Sequence, residues 1–101
     1  MASTQQTKYK IRAPDAIARL IRNAHPQLKR KIKSALNLIV ADPSVGKSLR
    51  GELKGLKSFR VSRFRIIYQI SSKRVIELIA IGPRKTIYEE TYRILRKEKG
   101  G

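Results

Sequence analysis

Apolar positions change their period near the middle of this chain, dividing it into a helical half and a stranded half. Tyr9 and Ile11, set among Lys8, Lys10 and Arg12, first alternate like a short strand with one buried face. Pro14 then reads as a first-turn helix residue, with Asp15 placing a carboxylate near the helix's positive end. Ile17, Leu20, Ile21 and Ala24 follow at helical spacing. The residue before a proline resists the helical region, so a break is expected over 23–26. Leu28, Ile32, Ala35, Leu36 and Ile39 recur at i, i+4, i+7, i+8 and i+11, which puts them on one face of a second helix. Asp42-Pro43 stops it. Neither helix can bury its stripe alone, so a hairpin laid on a sheet is expected.

Residues 44–57 read as a loop, with glycines at 46, 51 and 55 and little periodicity. The period then falls to two. Over 59–63, Phe59 and Val61 alternate with Arg60 and Ser62. Over 64–70, Phe64, Ile66, Tyr68 and Ile70 alternate with Arg65, Ile67 and Gln69. The run 75–81 is apolar apart from Glu77, as expected of a central strand covered on both faces. Ser71-Ser72-Lys73 supplies the turn before it, Gly82-Pro83 ends the sheet, and 86–95 suggests a short closing helix. The expected class is α+β: a small mixed, mostly antiparallel four-stranded sheet, ordered β-α-α-β-β-β-α, with the helical hairpin on one face. Residues 1–7 are expected to be a flexible leading segment, 8–95 the domain, and 96–101 a polar tail that frays.

Charge changes the picture from fold to partner. The 101 residues carry 24 Lys and Arg against 7 Asp and Glu, a formal net charge of +17. Residues 47–65 alone set Lys47, Arg50, Lys54, Lys57, Arg60, Arg63 and Arg65 against Glu52. Such a stripe joined to ordered structure suits a polyanion, with nucleic acid the leading candidate. The absence of cysteine excludes disulfides and thiolate metal sites. No apolar run approaches the roughly 18 residues that span a bilayer, and residues 1–7 lack a hydrophobic secretion signal. A cytoplasmic protein without membrane partner, cofactor or metal is the expectation.

Strand alternation places Arg60 and Arg65 on the face away from their apolar neighbours, and an antiparallel hairpin brings them together if its register allows. Arg84 and Tyr88 follow the central strand's end, where the chain returns over the same edge. A guanidinium fork pairs with two phosphate oxygens at once. Tyr88 reads equally as a stacking platform or as core filler, and Tyr92, four residues on, as packing. The single histidine, His25, sits in the helix-helix turn, which rules out acid–base work by a histidine pair. Asp42, Glu52, Glu77, Glu89 and Glu90 form no convincing carboxylate pair or two-metal site. Gly46-Lys47-Ser48 matches the end of a phosphate-binding loop, but Ala41 stands where its first glycine belongs, and the stretch follows a helix instead of a strand.

Leu49-Arg50-Gly51, Phe59-Arg60-Val61 with Phe64-Arg65-Ile66-Ile67-Tyr68, and Ile81-Gly82-Pro83-Arg84 with Ile87-Tyr88 together resemble the RelE/ParE toxin superfamily of toxin–antitoxin modules. The likeness covers roughly 8–95 and is closer to the RelE branch. It implies a ribosome-dependent, metal-independent endoribonuclease that cuts messenger RNA in the ribosomal A site. By the same resemblance, Arg60 takes the place of a family lysine near the 2′-hydroxyl, and Arg65 that of the arginine on the scissile phosphate. Arg84 matches the arginine facing the leaving 5′-oxygen, and Tyr88 the tyrosine that stacks on the messenger. The basic residues Lys47, Arg50, Lys54, Lys57 and Arg63 are expected to hold RNA or ribosome. Ser62 departs from a second family lysine, although Arg63 follows it. A cognate acidic antitoxin is the implied protein partner. The alternatives are a ParE-like inhibitor of DNA gyrase and a noncatalytic nucleic-acid-binding homologue.

Overall fold

The computed structural model describes residues 9–71 and 74–100. In chain order these form β1 (Lys10–Arg12), α1 (Asp15–Arg22), α2 (Pro26–Ala41), β2 (Lys47–Ser48), β3 (Lys57–Val61), β4 (Phe64–Ile70), β5 (Val75–Pro83) and α3 (Arg84–Gly100). Single 3₁₀ turns at Pro43–Val45 and Gly51–Leu53 flank β2. The sheet runs β1-β5-β4-β3-β2. β1 lies parallel to β5 and every other neighbour is antiparallel. The class is the α+β arrangement expected from the two periods.

Three boundaries differ from the sequence reading. The sheet has five strands instead of four, because β2 forms within the stretch 44–57 that reads as loop. A strand of two residues has no period to detect. α3 runs 17 residues, beginning at Arg84 and passing through 96–100, which reads as a fraying tail. Arg, Lys and Glu are strong helix formers with no breaker among them until the final glycines, and Arg96 stacks 5.5 Å from the Tyr92 ring centroid. Pro14 is the N-cap of α1, one position ahead of its first helical residue. The expected flexible segment 1–7, Ser72 and Lys73 of the expected turn, and Gly101 lie outside the described residues.

The helical hairpin covers one face of the sheet. Ile17, Ile32, Ala35 and Ile39 pack there against Val61, Ile66, Tyr68, Ile76, Leu78 and Ile81. His25 caps α2, its Nδ1 accepting from the Gln27 N–H at 3.2 Å, with Pro26 in the first turn. α3 covers part of the other face through a smaller cluster, Leu56, Ile67, Ala80 and Ile87. A bulge at Ile67/Tyr68 leaves Ile79 without a cross-strand partner, so Ile79 and Ala80 both turn toward α3. Among the described residues, no helix is long and apolar enough to cross a membrane.

Tyr68 pins the connection from α2 to β2. It is fully buried, its hydroxyl donating to the Pro43 carbonyl at 2.6 Å and accepting from the Gly46 N–H at 3.0 Å. A Cβ on Gly46 would run into the Tyr68 ring, so this approach requires glycine. The phenol's pKa is raised, chiefly by burial; the Gly46 hydrogen bond opposes this and the Asp42 charge adds to it.

Candidate active site: a cationic cleft beside the β3–β4 hairpin

The β3–β4 hairpin turns through Ser62 and Arg63 between the paired Val61 and Phe64. Ser62 adopts φ 59°, a left-handed conformation that a tight turn imposes. Directly behind the turn Arg60 and Arg65 are cross-strand partners. Like charges placed opposite each other repel, so the pair suits an anion between them. On the other side Arg65 pairs with Gly82 of β5. A Cβ on Gly82 would come within 2.9 Å of Ile87 Cδ1. Lacking one, Gly82 lets the first turn of α3 settle onto the sheet beside Arg65. The Arg84 N–H donates to the Arg63 carbonyl at 3.0 Å, tying the start of α3 to the hairpin turn.

Two clefts open from this junction. One, of about 550 Å³, is lined by Arg60, Arg63, Arg65, Arg84 and Lys85, with Ser62 and Pro83. The other, of about 300 Å³, is lined by Lys47, Arg50, Arg65, Arg84 and Tyr88, with Leu49 and Leu53. Arg65 and Arg84 belong to both, so the clefts adjoin at these two residues, and among the described residues no acid lines either. The buried Nε of Arg65 has no hydrogen-bond partner among the described residues. An unmet buried donor costs roughly 1–3 kcal/mol, which an anionic oxygen entering the cleft relieves. Arg60 Nε donates to the Ser62 carbonyl at 3.3 Å, holding its side chain toward the turn.

A family model described as the ParE-like toxin of type II bacterial toxin–antitoxin systems matches residues 11–92. The chain belongs to this toxin family. Among solved structures, it is 25% identical to a chain of the toxin–antitoxin complex RelBE2 from Mycobacterium tuberculosis, covering 76% of this chain and 99% of that one, with a TM-score of 0.66. A double arginine-to-alanine variant of the E. coli toxin RelE in the free state is 20% identical over 90% and 97% of the two chains, with a TM-score of 0.70. The archaeal RelE–RelB complex from Pyrococcus horikoshii OT3 matches at 18% identity over 76% and 96%, with a TM-score of 0.62. The last two likenesses are of fold. No curated protein matches by sequence. The toxin superfamily implied by the sequence blocks is therefore the one found.

The toxin gathers Arg60, Arg65, Arg84 and Arg63 on one cleft, and Lys47, Arg50 and Tyr88 on the other. Lys54 and Lys57 line neither cleft. Lys54 is exposed beyond the second 3₁₀ turn. Lys57 shares the strand face of Phe59, away from Arg60, and its Nζ donates to Ser48 Oγ at 2.9 Å. Position 62 lies in the turn, so it lacks the strand alternation that would set a lysine there beside Arg60.

Tyr88 is half-buried among Leu49, Leu53 and Leu56, its hydroxyl 3.1 Å from Ser58 Oγ. Ser58 is 2% exposed, and sequence reasoning missed it along with Gly82. Parity was the available signal for Ser58: two residues before Arg60, it shares Arg60's face of the strand. Four of the carboxylates are engaged elsewhere. Asp42 accepts from the Ser44 hydroxyl at 2.7 Å and N–H at 3.1 Å, which lowers its pKa. Glu77 bonds Gln69 and Arg12, Glu89 pairs with Arg93, and Glu52 accepts from the Tyr92 hydroxyl.

Proposed function

We propose that this toxin is a ribosome-dependent endoribonuclease that cuts messenger RNA in the A site. The observation that carries the reading is the cross-strand pair Arg60↔Arg65 opening on the same cleft as Arg84, with an Arg65 donor that has no partner among the described residues. Attack by a ribose 2′-oxygen on its own 3′-phosphorus forms one P–O bond and breaks the bond to the 5′-oxygen. The products are a 2′,3′-cyclic phosphate and a 5′-hydroxyl. Arg65 holds the scissile phosphate, Arg60 stabilises charge on the 2′-hydroxyl side, and Arg84 neutralises the departing 5′-oxygen. Preorganised charge of this kind acts most strongly as the phosphorane forms.

Arginine stays protonated and is a poor base, so water takes the 2′-proton and returns one to the leaving oxygen. The ribosome supplies alignment, which suits clefts lined, among the described residues, by neither carboxylate nor histidine. Tyr88 offers its ring to a messenger base; Lys47, Arg50 and Arg63 hold the backbone, with Lys54 and Lys57 contributing at longer range. An acidic antitoxin is the protein partner, consistent with complexes of the related folds. The ParE-like description of the family favours a second reading, inhibition of DNA gyrase by contact.

Primer-extension mapping of messenger cleavage on purified ribosomes tests the first reading. Cleavage by the wild type and a loss of about 10²-fold or more in a folded Arg65→Ala variant are expected. Normal cleavage by that variant removes Arg65 from the mechanism. A wild type that leaves the messenger whole while blocking gyrase supercoiling favours the second reading, and one that only binds RNA in a salt-sensitive way is a noncatalytic homologue.

A further inference from the structure

The two cationic clefts adjoin, yet they differ in chemistry. Arg60, Arg63, Arg65, Arg84 and Lys85 give the larger one five positive charges. Each phosphodiester link in a nucleic acid strand carries one negative charge, so the five exceed what a single link uses. Charge gathered this densely suits a run of consecutive phosphates, which guanidinium forks grip two oxygens at a time. The buried Arg65 Nε, without a partner among the described residues, is one donor that such a ligand satisfies.

The smaller cleft has another character. Leu49, Leu53 and Tyr88 belong to one apolar cluster, and all three line it. The Tyr88 hydroxyl lies 3.1 Å from Ser58 Oγ, which restrains the ring. Glu52, in the 3₁₀ turn beside Leu53, accepts from the Tyr92 hydroxyl at 3.4 Å, and among the described residues no acid lines this cleft. An aromatic ring with leucines around it is a platform for a flat group, and any nucleobase has a face that stacks on one. Lys47 and Arg50 supply donors for the acceptors on a base edge.

We propose that the joined clefts bind a free nucleoside 5′-triphosphate. Its phosphates lie among the arginines of the larger cleft and its base against Tyr88, Leu49 and Leu53 in the smaller. Arg65 and Arg84 line both clefts, so the ribose crosses between the two at these residues. Inorganic phosphates fill the larger cleft alone, and an uncharged nucleoside the smaller alone. A strand of RNA enters both, but its phosphates come singly with a sugar between each. The nucleotide occupies the residues assigned to the messenger, so abundant triphosphate holds the toxin back and its depletion releases it. That consequence rests on the nuclease reading; the binding itself does not.

The test is calorimetric titration of the whole chain at near-physiological ionic strength, with a chelator present so that no divalent cation shields the phosphates. The probes are ATP, inorganic triphosphate and adenosine. One ATP is expected per chain, bound at least tenfold more tightly than either of the others, since stacking and charge contribute together. Tyr88→Ala is expected to bring ATP down to the affinity of inorganic triphosphate and to leave the latter unchanged. Arg65→Ala is expected to weaken both about tenfold. Amide shifts in the wild type supply a readout that no substitution disturbs. ATP should move Leu49, Leu53 and Tyr88 together with Arg65 and Arg84, and inorganic triphosphate only the arginines. Equal affinity for ATP and inorganic triphosphate reduces the effect to charge and overturns the proposal, as do shifts spread over the cations of α2. No RNA or ribosome enters the titration, so failure of the nuclease reading and failure of this one are told apart.

Discussion

β4 shows the molecule's two characters on alternate residues. Toward the helical hairpin it turns Phe64, Ile66 and Tyr68, and toward α3 it turns Arg65, Ile67 and Gln69. On the hairpin side Ile32, Ile39, Ile66, Tyr68 and Ile76 are fully sealed. On the α3 side a small cluster around Ile67 and Ile87 gives way two residues along the strand to Arg65 and the cationic clefts. The first face stabilises by excluding water; the second holds like charges close together and destabilises itself unless an anion arrives. The difference suggests a division of labour, in which the dry face supports a site that could not support itself.

The sharpest way to break that division is to cut each face by one side chain at neighbouring positions. Ile66 and Ile67 are both fully buried, on opposite faces of β4. Truncating either to alanine leaves a cavity and is expected to cost roughly 2–5 kcal/mol in urea denaturation, with Ile66→Ala the larger. Cleavage per folded molecule separates them. It is expected to hold in Ile66→Ala and to drop about tenfold in Ile67→Ala, as α3 settles and carries Arg84 and Tyr88 out of line. Equal losses of cleavage in both variants would show the faces acting as one unit.

Tyr68 tests the dry face more gently. Tyr68→Phe keeps the ring but leaves the Gly46 N–H and Pro43 carbonyl without their buried partner, an expected loss of roughly 1–3 kcal/mol. It also changes the pH dependence. Burial raises the folded phenol's pKa, while the unfolded one ionises near pH 10. The folded state thus binds more protons through that window, and stability present below about pH 10 falls as pH rises toward the folded value. Urea midpoints measured across that window should fall more steeply for the wild type than for Tyr68→Phe. Parallel falls would remove the phenol from the alkaline loss.

Legibility followed length. The seven residues of β4 and sixteen of α2 repeat their periods often enough to expose which side chains are buried, and the hairpin that follows from β4 brings Arg60 opposite Arg65. β2 has two residues and therefore no pattern. It forms because Tyr68 gathers Pro43 and Gly46 from far away in sequence, a tertiary cause with no local signature. Gly82 reads as part of the terminator before Pro83, and β5 does end there, but its admission of Ile87 is a tertiary contact with no local signature. Ser58 fell just outside the strand expected over 59–63, and starting that strand at Lys57 would have exposed it.

Ser58 gives the smallest effect and the finest probe of the open face. Its hydroxyl and that of Tyr88 lie 3.1 Å apart, and either can donate. Ser58→Ala removes the partner that fixes where the Tyr88 phenol points, while adding no bulk in a site 2% exposed. A net hydrogen bond is worth roughly 0.5–1.5 kcal/mol, so stability should fall by about that much and ribosomal cleavage by several-fold. The same loss would follow if Ser58 merely packed, and a double-mutant cycle tells the two apart. In a Tyr88→Phe background the hydroxyl partner is already gone, so Ser58→Ala should change cleavage no further. An undiminished second loss there would show that Ser58 acts on the strand instead, and that the orientation of Tyr88 is set by the leucines around its ring.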